Sequence, residues 1–325
     1  MSRFALLGLV AASACSTIRM QVPVMKPAEI NMGRYHQIAV DELKGRDGSE
    51  VSALVQQSLL ESGRFQVVDR QHLNDIMREL RLSTSELADP TKAAQLGKQL
   101  PASALLFGNV EQSDYREREE HEDFELVDQN GDKQAHRRYT RKGTATVRVS
   151  FQIDDVETGQ LVKVKVIQKD IHAETSNTDA QAASIDGQPL LERARHEVVQ
   201  AFMTAIIPHK VEQEVTFLKD GNIPQLETAT TYAKLGQWQK AGALVSTAID
   251  GAERSGVASK SLAKAYWDRG LIEEYSGQYD KAKADVQKAF EYSNDNDYLN
   301  ELANIDQAAA DAAKLQQQNA AGSGT

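Results

Sequence analysis

The chain has 325 residues, enough for two domains with real cores, and its 47 acidic against 37 basic side chains give a net charge of −10. That balance argues against nucleic acid as a partner, because phosphate binding needs a basic footprint. Cys15 is the only cysteine, so no disulfide can form within the chain.

Residues 1–14 read as a targeting segment. Arg3 supplies the positive end, and Phe4 to Ala12 is an apolar run far too short to cross a bilayer. Ala12-Ser13-Ala14-Cys15 resembles a bacterial lipobox, which implies that Cys15 becomes the lipidated first residue of the mature chain. Ser16 follows it, with no Asp to signal inner-membrane retention, and this points to the outer membrane. Residues 15–33 read as an extended tether, kept from coiling by Pro23 and Pro27.

A first domain is expected over residues 34–210. Tyr35 to Val40 is a strand, and Ser49 to Ser62 is a helix with Val51, Leu54, Val55 and Leu59 on one face and Gly63 as its stop. Phe65 to Val68 is a short strand. Asp69 then caps a helix whose Leu73, Ile76, Met77 and Leu80 share a face. Asp89-Pro90 restarts a helix, with Ala93, Ala94, Leu96 and Leu100 inward, and Ala104 to Val110 is a strand covered on both faces. The order β-α-β-α-α-β predicts an α/β fold with helices packed on a sheet.

Phe65, Val67, Val68, Asp69, Arg70, Leu73, Ile76 and Glu79, the Leu96-Gly97-Lys98 step, and Ala102, Ala104 and Gly108 carry a resemblance. The pattern resembles the CsgG family of outer-membrane lipoproteins from about Ile38 to Asp170. Val149, Asp155, Val156, Thr158, Gly159 and Leu161 continue it. The resemblance implies an assembly or secretion factor at the outer membrane and no enzyme.

Residues 113–143 differ in texture. Glu117, Glu119, Glu120, Glu122, Asp123 and Glu125 face a basic return through Lys133, Arg137, Arg138, Arg141 and Lys142. Asn130-Gly131 between them signals a two-residue hairpin. In the curli channel, hairpins of this fold build a membrane barrel. A barrel strand alternates apolar and polar residues, and Arg or Lys on a lipid face costs about 2–4 kcal/mol at mid-membrane. This arm does not alternate in that way, so the resemblance is not extended to pore formation.

Thr144 to Asp154 alternates as a strand, and Leu161 to Ile167 returns with Lys163 and Lys165 on the wet face. Thr175 to Gln188 reads as loop, and Pro189 to Ile207 as a helix closing the domain. Val211 to Gly221 is a junction.

Residues 222–318 form an expected all-α domain. Tyr232, Gly236, Trp238, Ala241 and Ala248 match the tetratricopeptide pattern, and Gly270, Gly277, Tyr279, Ala282 and Ala289 match it again. Glycine turns the chain between paired helices and alanine lets them pack closely. Leu302 to Gln318 reads as a capping helix, and residues 319–325 as a frayed tail.

No catalytic, cofactor-binding or metal-binding residue is assigned. The seven histidines make no H-E-x-x-H, and no phosphate loop, dinucleotide fingerprint or nucleophile elbow occurs. Asp128 to Asp132 lacks the Glu that a calcium loop needs, since Tyr139 stands at that position. The expectation is a non-enzymatic lipoprotein at the periplasmic face of the outer membrane, acting as an assembly or secretion scaffold. Its expected partners are other envelope proteins, the membrane through the lipid alone, a second copy of itself, and no nucleic acid. An oligomeric secretion channel and an LpoB-like activator of a peptidoglycan synthase are the alternatives.

Overall fold

The computed structural model describes residues 17–68, 70–82, 89–100 and 103–320. Cys15, the targeting segment, Asp69 and residues 321–325 lie outside the described residues, as do the side chains of Leu73, Ala93 and Ala94. The rest falls into two units, one of residues 28–208 with the last residues of the chain, the other of residues 209–316 with the strand that ends before Ala28.

The first unit is an α/β sandwich. Its sheet has the order β4-β2-β5-β6-β7, from β2 (Gln37–Val40), β4 (Gln66–Val68), β5 (Ser103–Val127), β6 (Lys133–Asp155) and β7 (Leu161–Thr178). A two-residue β3 (Lys44–Gly45) adds to β5. The short strands run parallel to β5, whereas β5, β6 and β7 are antiparallel. Alternation along the strands sorts two layers of core. Ile38, Val40, Ala104, Leu106 and Phe151 face the helices α1 (Gly48–Ser62) and α4 (Gly187–Ile206). Ala39 and Leu105 face α2 (Arg70–Glu79) and α3 (Pro90–Gln99) through Met77, Leu96 and Leu100.

Local signals explain the helix ends. The Asp89 side chain accepts the Thr91 N–H at 2.8 Å with Pro90 following, so α3 starts where its orphan donors are already accounted for. Asp186 caps α4 in the same way, through Gln188 N–H at 3.0 Å. The resemblance motif around Asp155 is also structural. Its carboxylate accepts the N–H and hydroxyl of Thr158 at 2.8 and 2.9 Å, the Tyr35 hydroxyl at 2.9 Å and the Arg34 guanidinium, locking the β6–β7 turn. Burial alone would raise this carboxyl, but those donors outweigh it and hold it below the ordinary value.

The second unit corrects the expected tether and junction. Thr17–Lys26 is strand β1, paired antiparallel over its whole length with β8 (His209–Leu218), from Thr17↔Leu218 to Lys26↔His209. Both segments alternate, and Val22, Val215 and Phe217 are buried. Pro23 is tolerated because each member of a two-stranded ribbon has a free edge. Five helices follow: α5 (Gln225–Lys234), α6 (Trp238–Ser255), α7 (Ser259–Tyr275), α8 (Tyr279–Ser293) and α9 (Asp297–Ala320). The last helix continues through Asn319 and Ala320, which the sequence assigns to the tail. The ribbon is pinned to α7, since Asp268 accepts the Leu218 N–H at 2.8 Å and the Trp267 indole donates to the Thr216 carbonyl at 3.2 Å.

Candidate functional site: a charged arm and an acidic helix

The β5–β6 pairing runs unbroken from Ala104↔Asp155 in the core to Val127↔Lys133 at the far end, with one bulge near Val110. The charged residues are therefore the outer half of two core strands. Opposite charges face each other as a ladder. Arg137 holds Asp123 through two bonds of 2.5 and 2.9 Å, and Lys133 reaches Glu125 at 2.8 Å. Lys142 reaches Glu120 at 2.7 Å, and Arg141 spans Glu117 at 2.8 Å and Glu119 at 3.1 Å. The Arg137 bond keeps Asp123 below the usual carboxylate range, and the Lys142 bond does the same for Glu120.

The turn differs from the expected two-residue hairpin. Asp128 and Asp132 form the last backbone bond, Gly131 N–H donates to the Asp128 carbonyl, and only Gly131 takes positive φ, at 90°. That is a three-residue loop ending in a left-handed glycine, favoured because Asp128 Oδ1 also accepts the N–H groups of Asn130 and Asp132. A second correction concerns β7, which runs into the first residues of the expected loop, to Thr178, and pairs as far as Arg138↔Thr178, while residues 179–186 remain loop. The arm thus has three strands for most of its length. On the face carrying Arg116, Arg118, Lys142, Thr144, His172 and Glu174 it forms an open depression of about 700 Å³.

The root of the arm is fixed. Tyr115 lies so close to Gly143 and Gly187 that a Cβ on either would meet its ring at 2.9 Å or less. Its hydroxyl donates to Glu117 at 2.8 Å; burial first, and then that carboxylate, push the phenol up to about 12. Beside it, Asp47 Oδ2 accepts from Ser113 at 2.5 Å and from the buried Arg195 at 3.1 Å, tying the start of α1 and α4 to β5.

In the helical unit, Gly236 and Gly277 turn the chain at φ 70° and 80°. Gln237 N–H reaches back to the Tyr232 carbonyl, and Gln278 N–H to that of Glu273. Ala241, Ala248, Ala282 and Ala289 are buried, Tyr232 and Tyr279 half-buried, and Trp238 stacks on Tyr275 with ring centroids 5.7 Å apart. Gly270 sits where a Cβ would come within 3.2 Å of Val286 and the Ala282 carbonyl, so α7 and α8 touch there through backbone.

The acids on α7 belong to no motif. Asp268 is fully enclosed, and burial pushes it well above the carboxylate range. Burial and then Glu301 raise Glu274 to about 8, and burial and then Asp285 raise Glu273 to about 7. Arg269 forks onto Asp285 at 2.5 and 2.8 Å and lies over the Tyr266 ring. A signal existed only in composition: α7 is buried around much of its circumference, so acids on it had nowhere to face solvent. Among the described residues no group of His, Cys, Asp and Glu could hold a metal ion. The charged arm can complement the charges of a protein surface.

A family model described as curli production assembly/transport component CsgG matches residues 21–254. The chain belongs to the CsgG family. The match takes in the sandwich, the arm, β8 and the part of β1 from Gln21, and ends near the close of α6. Helices α7 to α9, with the buried acids, lie beyond the matched residues. No curated protein matches the chain. Similar solved structures include a PelC dodecamer from Paraburkholderia phytofirmans, at 15% identity, covering 57% of this chain and 98% of that one, with a TM-score of 0.28. The LpoB C-terminal domain from Salmonella enterica gives 16%, 44%, 84% and 0.24. Lipoprotein GNA1162 from Neisseria meningitidis gives 11%, 51%, 96% and 0.28. No helix among the described residues is long and apolar enough to cross a membrane.

Proposed function

We propose that this CsgG-family chain is a non-enzymatic lipoprotein on the periplasmic face of the outer membrane that serves assembly or secretion as an adaptor. The family match over residues 21–254 carries the reading. The arm supplies a docking element: a mostly charged projection, with Leu126 and Val127 exposed near its tip, suited to reading a partner's charges, where exposed ion pairs select orientation more than they add affinity. The helix pairs α5–α6 and α7–α8, turned alike at Gly236 and Gly277, are read as tetratricopeptide-like repeats that recruit a client. Cys15 is read as the lipid anchor.

The channel alternative is disfavoured by the arm, whose outer half presents ionised side chains on both faces rather than one apolar face. Conductance in planar bilayers would reverse that judgement. Stimulation of glycan polymerisation by the soluble fragment would favour a synthase activator.

The test is photocrosslinking from a probe residue at Glu122 in cells, with a Cys15→Ala variant in parallel. Discrete crosslinks to envelope proteins, lost to the soluble periplasm in the variant, are expected. An absence of crosslinks, or a Cys15→Ala chain that stays with membranes, contradicts the docking and anchoring parts respectively.

A further inference from the structure

The sheet ends at β7. Among the described residues, no backbone group from Leu161 to Lys169 makes a backbone hydrogen bond other than in its ladder with β6. An open edge of that length is a template for another strand, and proteins normally blunt such edges. The side chains here are of two kinds. Leu161, Val164 and Val166 are 56%, 43% and 44% exposed. The sequence pattern places these valines inward, but they share the face of Ser150 and Gln152, to which Val166 and Val164 are paired, and no helix covers them there. On the opposite face stand Lys163, Lys165 and Lys169, in line with the buried Ile167 and Ile171.

The lysines select against one occupant and for another. Two β7 edges laid antiparallel over this stretch would set lysine opposite lysine, which is destabilising. A strand with carboxylates on that face would be matched, and the chain already shows the match once, where Glu29 pairs with Lys165. The exposed apolar residues ask for apolar side chains on the other face. We propose that the edge of β7 from Leu161 to Lys169 receives an extended segment of a partner protein in which apolar residues alternate with acidic ones. The partner's main chain continues the ladder, its apolar side chains cover Leu161, Val164 and Val166, and its carboxylates meet the lysines. This rests on the adaptor reading above and names the partner's chemistry.

The probe is a fluorescein-labelled peptide of alternating valine and glutamate, about ten residues long to match a strand, titrated into the full chain. The expected result is saturable binding with slowed amide exchange at residues 161–169. K163E/K169E should weaken it about tenfold, as should high salt, and a valine–lysine peptide should not bind. V164S is the second variant, and circular dichroism confirms that each variant folds. Binding without slowed exchange in β7, or equal binding of the valine–lysine peptide, overturns the proposal. So does failure to bind at all. Protection of β7 that grows with protein concentration in the absence of peptide also overturns it, in favour of a second copy. Peptide binding to β7 in a chain that yields no crosslinks in cells would sink the adaptor reading and leave the edge site standing.

Discussion

Phe202 is the residue on which the α/β unit should depend most. It sits on α4 with 0% exposure and stacks on the equally buried Phe151 of β6, ring centroids 4.1 Å apart and planes inclined by 17°. Phe202→Ala removes the ring from a close-packed layer between α4 and the sheet, a change worth about 3–5 kcal/mol. Phe202→Leu refills much of the volume and loses mainly the aromatic pair and some fit, about 1–2 kcal/mol. The probe must be chosen with care. Both tryptophans, Trp238 and Trp267, lie in the helical unit, so tryptophan fluorescence is blind to this lesion. Amide exchange resolved to α4 and β6 reads it directly. A loss of about 4 kcal/mol should speed their slowest amides about a thousandfold, and the leucine variant about tenfold. Equal effects of the two variants, or acceleration below tenfold for alanine, would refute the view that this stack organises the layer.

Three further outcomes follow from the same structure. Glu274 has a folded value near 8 and Glu273 near 7, against 4.5 for a free carboxyl, so the native state keeps protons that the unfolded chain releases. Stability of the helical unit should therefore fall as pH rises from about 5 towards 8 and level off beyond; melting followed by tryptophan fluorescence checks this, and Glu274→Gln should flatten the slope. Asp285→Ala removes the forked partner of the Arg269 guanidinium, whose side chain is 18% exposed, leaving it Ser246 at 3.3 Å and the nearby Glu273, and should cost about 3 kcal/mol in urea unfolding, with Arg269→Met in the same background recovering part of it. Arg141→Gln removes the bridge to Glu117 and Glu119 and should speed exchange across residues 117–142 while the core strands stay unchanged; high salt should erase the difference.

How much could be read from the chain beforehand depended on how local the signal was. Asp89-Pro90, the apolar spacing of Val51, Val55 and Leu59, and the facing acids and bases of the arm are decided within a few residues, and all appear where the pattern places them. The ribbon could not be read the same way. Met20 and Val22 alternate with polar residues, but the strand that makes sense of them is β8, far along the sequence and beyond the whole sandwich, and Pro23 and Pro27 suggest an extended tether instead. The outer part of β7 escapes the pattern for a related reason. Thr175 to Thr178 is polar because both of its faces largely meet solvent, so no apolar period marks it as strand. The acids of α7 could be placed only once Glu301 and Asp285 were seen beside them.

The ribbon also fixes what an anchor would hold. Cys15 stands two positions before Thr17, and an extended residue spans at most about 3.6 Å. A lipid on Cys15 would thus be moored within roughly 7 Å of the Thr17↔Leu218 rung, leaving almost no leash. Any force on that lipid would enter the chain at the helical unit, through β1 and into β8, peeling or shearing the ladder of the ribbon before it reached the sandwich.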